Sequence, residues 1–239
     1  MNLVLLYFAV KYHGEWKSIY DALIKKEQIS PGDLYDLEKS LQCKYTTILN
    51  NDYPEELKSV DHPPFVIFYV GNLNLISHNQ NKLIFISNSN RIYTDNYLIK
   101  LYNDLNSANF IPVISTNLNI DVEKNFEHKM FICEKPILNY LYKESIKKSL
   151  YLSLIYNKNT KKDNFLECQI NLMHGLLKRV LILPSENESL IHRKIECLSN
   201  RGSELMAIPD NANNNSMSNL WIKNGAKLVD RASDIINRM

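Results

Sequence analysis

Apolar positions in the first forty residues recur at the three- and four-residue spacing that is typical of amphipathic helices. This spacing predicts helices over residues 2–12, 16–28 and 33–41. A Ser-Pro-Gly stretch at residues 30–32 separates the second helix from the third, as helix-breaking residues do. We therefore predict a small helical N-terminal subdomain over residues 1–43.

After this segment the helical spacing gives way to short, continuous apolar runs. Residues 45–49 and 65–70 are β-branched and aromatic runs bounded by turn residues, which is typical of strands. Further apolar runs lie at 83–86, 110–114, 130–133, 150–156, 180–183 and 204–208, and helical patterns between them at 95–108, 122–126, 136–142, 166–177 and 189–199. This alternation predicts an α/β fold with a doubly wound, mostly parallel sheet over residues 44–239. Ligands of such sheets bind at the carboxyl ends of the strands.

Charge and chemistry exclude several classes of function. The 28 Lys and Arg residues nearly balance the 26 Asp and Glu residues, so the chain has no general basic character that indicates a nucleic-acid partner. The four cysteines and six histidines have no metal-ligand spacing, which predicts no metal site. With six glycines and no nucleotide-binding or catalytic motif, we expect a protein that is not an enzyme and has no cofactor.

The apolar start of the chain predicts a buried helix. It stops at Lys11, which makes it too short to span a bilayer, and no basic segment precedes it as in a signal peptide. We therefore expect a cytoplasmic protein without a membrane partner.

Two groups of motifs resemble one known family. Residues 53–73 contain a Tyr-Pro, a Pro-Pro, an apolar strand and a Gly-Asn-Leu, in that order. Residues 180–236 contain VLIL, SLI, AIPD, LWIKNGAKLV and DII. In order and spacing these blocks resemble the DNA-processing protein A family (DprA, also called Smf). The resemblance implies an extended Rossmann-like domain that binds and protects single-stranded DNA during DNA uptake and recombination, a RecA-type recombinase as partner, and a homodimer.

The ligand loops depart from the family pattern. The family's GSR loop corresponds to residues 87–91, where Gly has become Ser87 and only Arg91 remains to replace the arginine. The second loop keeps Ser115 and Asp121, the latter also a candidate helix cap, but has lost both glycines. Because glycine lets the backbone approach a phosphate closely, we expect weakened phosphate affinity.

The family's basic FPxRNR motif has lost its arginines. The matching stretch, residues 164–172, has Gln169 and Asn171 but no arginine, and positive charge supplies most sequence-independent affinity for nucleic acid. The nearby Lys158, Lys161 and Lys162 are candidates for compensation, with a solvated loop as the alternative. Further basic candidates are Lys178, Arg179, Arg193 and Lys194. Candidates for base stacking are Tyr140 and Tyr142, with half-buried helix residues as the alternative.

The first hypothesis is therefore a DNA-binding family member. Its predicted DNA-binding residues are Ser87, Asn88, Ser89, Asn90, Arg91, Ser115, Thr116, Asp121, Lys161, Lys162, Gln169, Asn171 and Lys178. The second hypothesis is a protein-interaction scaffold that kept the fold and lost the DNA site. A third, a small-nucleotide-binding or hydrolysing relative, is disfavoured by the missing glycines. Convergence of the basic side chains on one cleft would favour the first hypothesis over the second.

Overall fold

The chain forms two compact units that each combine distant segments. This computed structural model describes residues 1–76, 81–87, 96–115, 125–142, 148–157, 162–211 and 214–237. The first unit comprises residues 1–73 and 132–176, and the second comprises residues 74–131 and 177–239. Helices and strands are numbered below along the whole chain.

The first unit combines helices with antiparallel strands. Its helices are α1 (Asn2–Lys11), α2 (Trp16–Ile24), α3 (Pro31–Ser40), α4 (Glu55–Lys58) and α6 (Lys162–Leu176), and its strands are β1 (Lys44–Thr47), β2 (Val66–Gly71) and β6 (Ser149–Ser153). Strand β2 lies between the other two and is antiparallel to both, with Tyr69 opposite Lys44 on one side and Leu152 on the other. Residues 66–70 are all buried, which explains why this strand is a continuous apolar run.

The three predicted N-terminal helices are present, although the second is shorter than predicted. It ends at Ile24 because Lys26 adopts a left-handed backbone conformation with φ of 51°. The Glu27 N–H then donates to the Ala22 carbonyl and the Lys26 N–H to the Leu23 carbonyl, which together form a Schellman motif. No glycine or proline lies at residues 25–29, so the sequence alone did not reveal the stop.

The Tyr-Pro and Pro-Pro motifs form a packed connection before β2. The buried Tyr53 hydroxyl donates to the Pro64 carbonyl at 2.7 Å, and the Trp16 indole N–H donates to the Pro63 carbonyl at 3.0 Å. The Trp16 ring also stacks on Phe65, with 5.6 Å between centroids. These residues therefore hold the first unit together.

The second unit is a parallel α/β sheet. Its strands are β3 (Asn81–Ile86), β4 (Phe110–Ser115), β5 (Lys129–Ile132), β7 (Arg179–Ile182), β8 (Glu204–Ala207) and β9 (Lys227–Leu228), and its helices are α5 (Asn96–Ser107), α7 (Ser189–Asn200), α8 (Met217–Lys223) and α9 (Ser233–Ile236). The strands lie in the order β5-β4-β3-β7-β8-β9. Strand β3 is parallel to β4 and β7, β7 to β8, and β8 to β9. This is the strand order of a Rossmann fold.

The predicted fold class is confirmed, with two local differences. The apolar run at residues 150–156 gives strand β6, which is antiparallel to β2 and does not extend the parallel sheet. Where the sequence predicts a helix over residues 136–142, the structure has a single 3₁₀ turn, Ile137–Tyr140, directly after Pro136. This turn is too short to form an α-helix. The predicted helix at residues 122–126 begins outside the described residues.

The N-terminal helices are part of the first unit. Helix α1 packs against α2 and α3 but also against β1 and β2, so the N-terminal helices belong to the same unit as these strands. The boundary predicted after residue 43 stays a prediction.

Candidate nucleic-acid interface

The carboxyl ends of four parallel strands form one edge of the second unit, which we call the strand-end edge. From β3 the chain proceeds to β4 on one side, and later to β7 and β8 on the other. The Leu183 N–H donates to the Ile86 carbonyl at 2.9 Å and the Ile208 N–H to the Ile182 carbonyl at 3.0 Å, so the segments stay side by side beyond the strands. In open α/β sheets such a reversal of strand order is where ligands bind.

Two of the predicted site residues lie at this edge. Ser87 directly follows β3 and Ser115 ends β4, and the pairing of Phe85 with Ile114 puts these two residues on adjacent strands. Their exposed fractions are only 4% and 2%. Both side chains are therefore held inside the protein at the point where the predicted ligand loops begin.

A buried lysine lies at the same edge. Lys194 on α7 is 5% exposed, and its ammonium lies 3.2 Å from the Ser115 hydroxyl. Helix α7 buries Ile191, Ile195 and Leu198 as well, so Lys194 lies on the apolar face of the helix. The sequence indicates that Lys194 lies on the apolar face, because it is three residues after Ile191 and directly before Ile195. Sequence reasoning named Lys194 only as a further candidate.

Buried serine hydroxyl groups lie after β7 and at the start of α8, and sequence reasoning missed them. Ser185 is fully buried, and its carbonyl accepts the Met217 N–H at 2.9 Å. Its hydroxyl has no hydrogen-bond partner within the described parts of the chain. The buried hydroxyls of Ser216 and Ser218 lie 2.9 Å apart. No sequence motif distinguishes these serines from those of an ordinary turn.

Lys178 lies at the opposite edge of the sheet. It precedes β7, and its carbonyl accepts the Glu204 N–H at the start of β8. Its side chain is exposed, and the neighbouring Arg179 pairs with the Glu204 carboxylate at 3.6 Å. The structure therefore does not bring Lys178 to the strand-end edge, because residues before a parallel strand lie at its amino end.

Gln169 and Asn171 lie on α6 in the first unit. Gln169 is 4% exposed and its amide donates to the Cys133 carbonyl at 3.2 Å, whereas Asn171 is half-buried. The Gln169 side chain thus has a structural partner. Its predicted contact with DNA stays a prediction, as does that of Asn171.

The remaining predicted DNA-binding residues are not placed in detail. Those outside the described residues are Asn88, Ser89, Asn90, Arg91, Thr116, Asp121 and Lys161. Lys162 begins helix α6, where the backbone alone is described. The convergence of the basic side chains on one cleft therefore stays a prediction.

The two tyrosines considered for base stacking differ in position. Tyr140 is 8% exposed and stacks on Tyr151 with 5.5 Å between the centroids, which fits the structural alternative. Tyr142 is 94% exposed.

The described residues contain neither a metal-ligand cluster nor a helix able to span a membrane. No three His, Cys, Asp or Glu side chains in those ranges cluster as metal ligands would. None of the helices described above combines the length and apolarity needed to cross a bilayer.

Comparison with known proteins gives matches among solved structures. No family model and no curated protein sequence matches the chain. The X-ray structure of DNA processing protein A from Streptococcus pneumoniae is similar, with a TM-score of 0.72 and 19% identity, over 99% of this chain and 93% of that one. DNA processing protein A from Helicobacter pylori, whose structure concerns its single-stranded DNA binding mode, gives a TM-score of 0.66 and 18% identity, over 82% of this chain and 95% of that one. The chain therefore has the fold of DNA processing protein A.

Proposed function

We propose that this chain is a divergent member of the DNA-processing protein A family that binds single-stranded DNA at the strand-end edge. The fold supports this proposal, since 99% of the chain is covered by the likeness to the Streptococcus pneumoniae protein. The motif blocks at residues 53–73 and 180–236 support it independently of the fold. The similar protein from Helicobacter pylori binds single-stranded DNA.

The observation that carries the proposal is the Lys194 ammonium 3.2 Å from the Ser115 hydroxyl. It places a lysine side chain beside Ser115 at the edge where ligands of such sheets bind, in a chain whose FPxRNR arginines are missing. Ser87 and Ser115 are buried, so their side chains hold the starts of the loops. Contact with phosphate then comes from backbone N–H groups and from Arg91 in the predicted loops.

The finer parts of the proposal rest on the family resemblance. The protein acts in the cytoplasm without catalysis, protects single-stranded DNA during uptake and recombination, and assists loading of a RecA-type recombinase. It does so as a homodimer, without a cofactor.

The test is fluorescence anisotropy of labelled oligo-dT across a salt series. We expect binding that weakens steeply as salt rises, because phosphate contacts release counterions. A variant with Arg91→Ala, Lys161→Ala and Lys162→Ala should bind more weakly. Well-folded protein that fails to bind at low salt would overturn the proposal and favour a scaffold that retains the fold for a protein partner.

A further inference from the structure

A groove of about 640 Å³ opens on the surface of the first unit. Three segments line it: residues 41–44, which we call the first wall, residues 69–71 at the end of β2, which we call the floor, and residues 141–142, which we call the second wall. Small-ligand sites in proteins have volumes of roughly 300–1,000 Å³. The groove is therefore large enough for one nucleotide of a polymer.

The first wall is fixed by a single buried tyrosine. The Tyr156 hydroxyl accepts the Gln42 N–H at 3.2 Å and donates to the Ser40 carbonyl at the same distance. Its ring packs against Phe68 of β2, with 5.4 Å between the centroids. The segment that leads into β1 is thus tied to the strand that forms the floor.

The second wall is anchored in a similar way and ends in an exposed ring. The Ile137 N–H donates to the Ile155 carbonyl at 3.0 Å, and the buried Tyr140 ring stacks on Tyr151 of β6. The next two residues emerge from this anchored turn, with Leu141 half-buried and Tyr142 94% exposed. A well-supported turn therefore carries an exposed aromatic ring that lines the groove.

One lysine supplies positive charge at the groove. Lys44 is exposed and is the one charged residue among those described as lining it. No carboxylate in the described part of the chain pairs with its ammonium. Burial raises the pKa of the Cys43 thiol to about 12, so this lining group is neutral at physiological pH and adds no negative charge. The groove thus combines the positive charge of Lys44 with the aromatic ring of Tyr142, and the neutral Cys43 thiol adds no charge.

We propose that this groove binds one nucleotide of a single-stranded nucleic acid, with the base stacked on Tyr142 and the phosphate at Lys44. Proteins that bind single strands combine aromatic platforms with positive charge in this way. This inference rests on the proposed function, because it adds a contact to the same DNA strand. It adds Lys44, which the predicted DNA-binding set did not include, to Tyr142, which the sequence named only as a candidate for base stacking.

The test compares two pairs of substitutions in the full-length chain. Tyr142→Ala and Lys44→Gln change the groove, whereas Tyr35→Ala and Lys39→Gln are matched controls in the same unit. Tyr35 is 57% exposed, and the Lys39 ammonium lies 4.2 Å from its ring centroid, so the control pair offers the same chemistry outside the groove. Labelled oligo-dT is the probe, and anisotropy is recorded across a salt series.

We expect Tyr142→Ala to raise the Kd about five-fold or more, as loss of one base–aromatic stack does. Lys44→Gln should also reduce the slope of log Kd against log salt by about 0.7, the value for one phosphate contact on a single strand. The control variants should match the wild-type protein. Photo-crosslinking with bromodeoxyuridine-substituted oligo-dT should label the segment containing Tyr142.

The outcomes separate this inference from the proposed function. If the wild-type protein binds oligo-dT and the groove variants behave like the controls, the groove assignment is overturned and the strand-end site remains. The same holds if all crosslinks map to other segments. If the wild-type protein binds no oligo-dT, both proposals are overturned together.

Discussion

The carbonyl group of Leu154 lies against the α-carbon of Gly14, in the space that a side chain would need. Gly14 has a φ of 75°, and a Cβ there would overlap the Leu154 oxygen and lie 3.1 Å from the carbonyl carbon. Both the backbone conformation and the close approach therefore require glycine. The contact joins the turn after α1 to the segment after β6.

Gly14→Ala should lower the free energy of unfolding by more than about 2 kcal/mol, because backbone overlap adds to the cost of the left-handed conformation. Gly202→Ala is the control, since Gly202 has a φ of 84° but open space around its α-carbon. That variant should lose only about 1–2 kcal/mol. Urea unfolding measures both values, and equal losses would contradict the explanation by close approach.

Gly175→Ala should also destabilise the protein, for a reason that involves packing alone. A Cβ at this position of α6 would overlap Leu57 Cδ2 and lie 3.1 Å from Val60 Cγ1, and Leu57 is fully buried. We expect a loss of about 1–3 kcal/mol, as in other overpacked cores.

Gly32→Ala provides the opposite control for that experiment. At Gly32, within α3, a Cβ would meet only the Ser30 hydroxyl oxygen, at an ordinary 3.6 Å. The substitution should raise the free energy of unfolding by about 0.4–1 kcal/mol, because alanine favours the helix. A neutral Gly175→Ala would show that α4 and α6 pack more loosely than described.

Tyr53→Phe should cost about 1–2 kcal/mol, because it removes the hydroxyl that donates to the buried Pro64 carbonyl. Tyr35→Phe removes an exposed hydroxyl from the same unit and should change stability by less than about 0.5 kcal/mol. Thermal unfolding of the two variants side by side gives the comparison. A similar Tm for both would mean that the Tyr-Pro motif is not held by this hydrogen bond.

Stability should fall as pH rises above about 9, the pKa of an exposed thiol. Burial raises the pKa of the Cys43 and Cys168 thiols to about 12 and raises that of Cys133 as well. An acid whose pKa is raised in the folded state stabilises that state below its unfolded pKa, and this contribution is lost as pH rises towards the folded value. Urea midpoints at pH 7.5, 9 and 10 check the prediction. A constant midpoint would contradict it.

Lys194→Gln should weaken oligo-dT binding, whereas Lys178→Gln should leave it unchanged. The first residue lies at the strand-end edge beside Ser115 and the second at the amino end of β7. Because Lys194 is buried, thermal unfolding must first show that the variant is folded, and Ser115→Ala gives a milder second change at the same contact. Equal affinities of Lys194→Gln, Ser115→Ala and the wild-type protein would remove Lys194 from the site.

Much of the second unit could be predicted from the sequence. Strands β3, β4 and β7 are buried almost throughout, so each reads as a continuous apolar run. The amino-end position of Lys178 also followed from the sequence, since it precedes a strand of a parallel sheet. Its predicted contact with DNA stays a prediction.

The groove of the first unit could not be predicted in this way. Its lining comes from residues 41–44, 69–71 and 141–142, which are far apart in the chain and belong to no common motif. The exposure of Tyr142 and the burial of Tyr140 depend on how one turn is anchored to β6. Local spacing carries no information about such long-range contacts.

The discontinuous first unit has a consequence during synthesis on the ribosome. Strand β2 ends at Gly71, but its partner β6 ends at Ser153, about 80 residues later. At typical translation rates β2 is without β6 for roughly 4–16 s, and during that time one edge of this wholly apolar strand is unpaired. Such an edge can pair with another chain, so aggregation of incomplete chains is the hazard that this order of segments creates. Fast translation, or a chaperone that covers residues 66–70, would shorten that exposure.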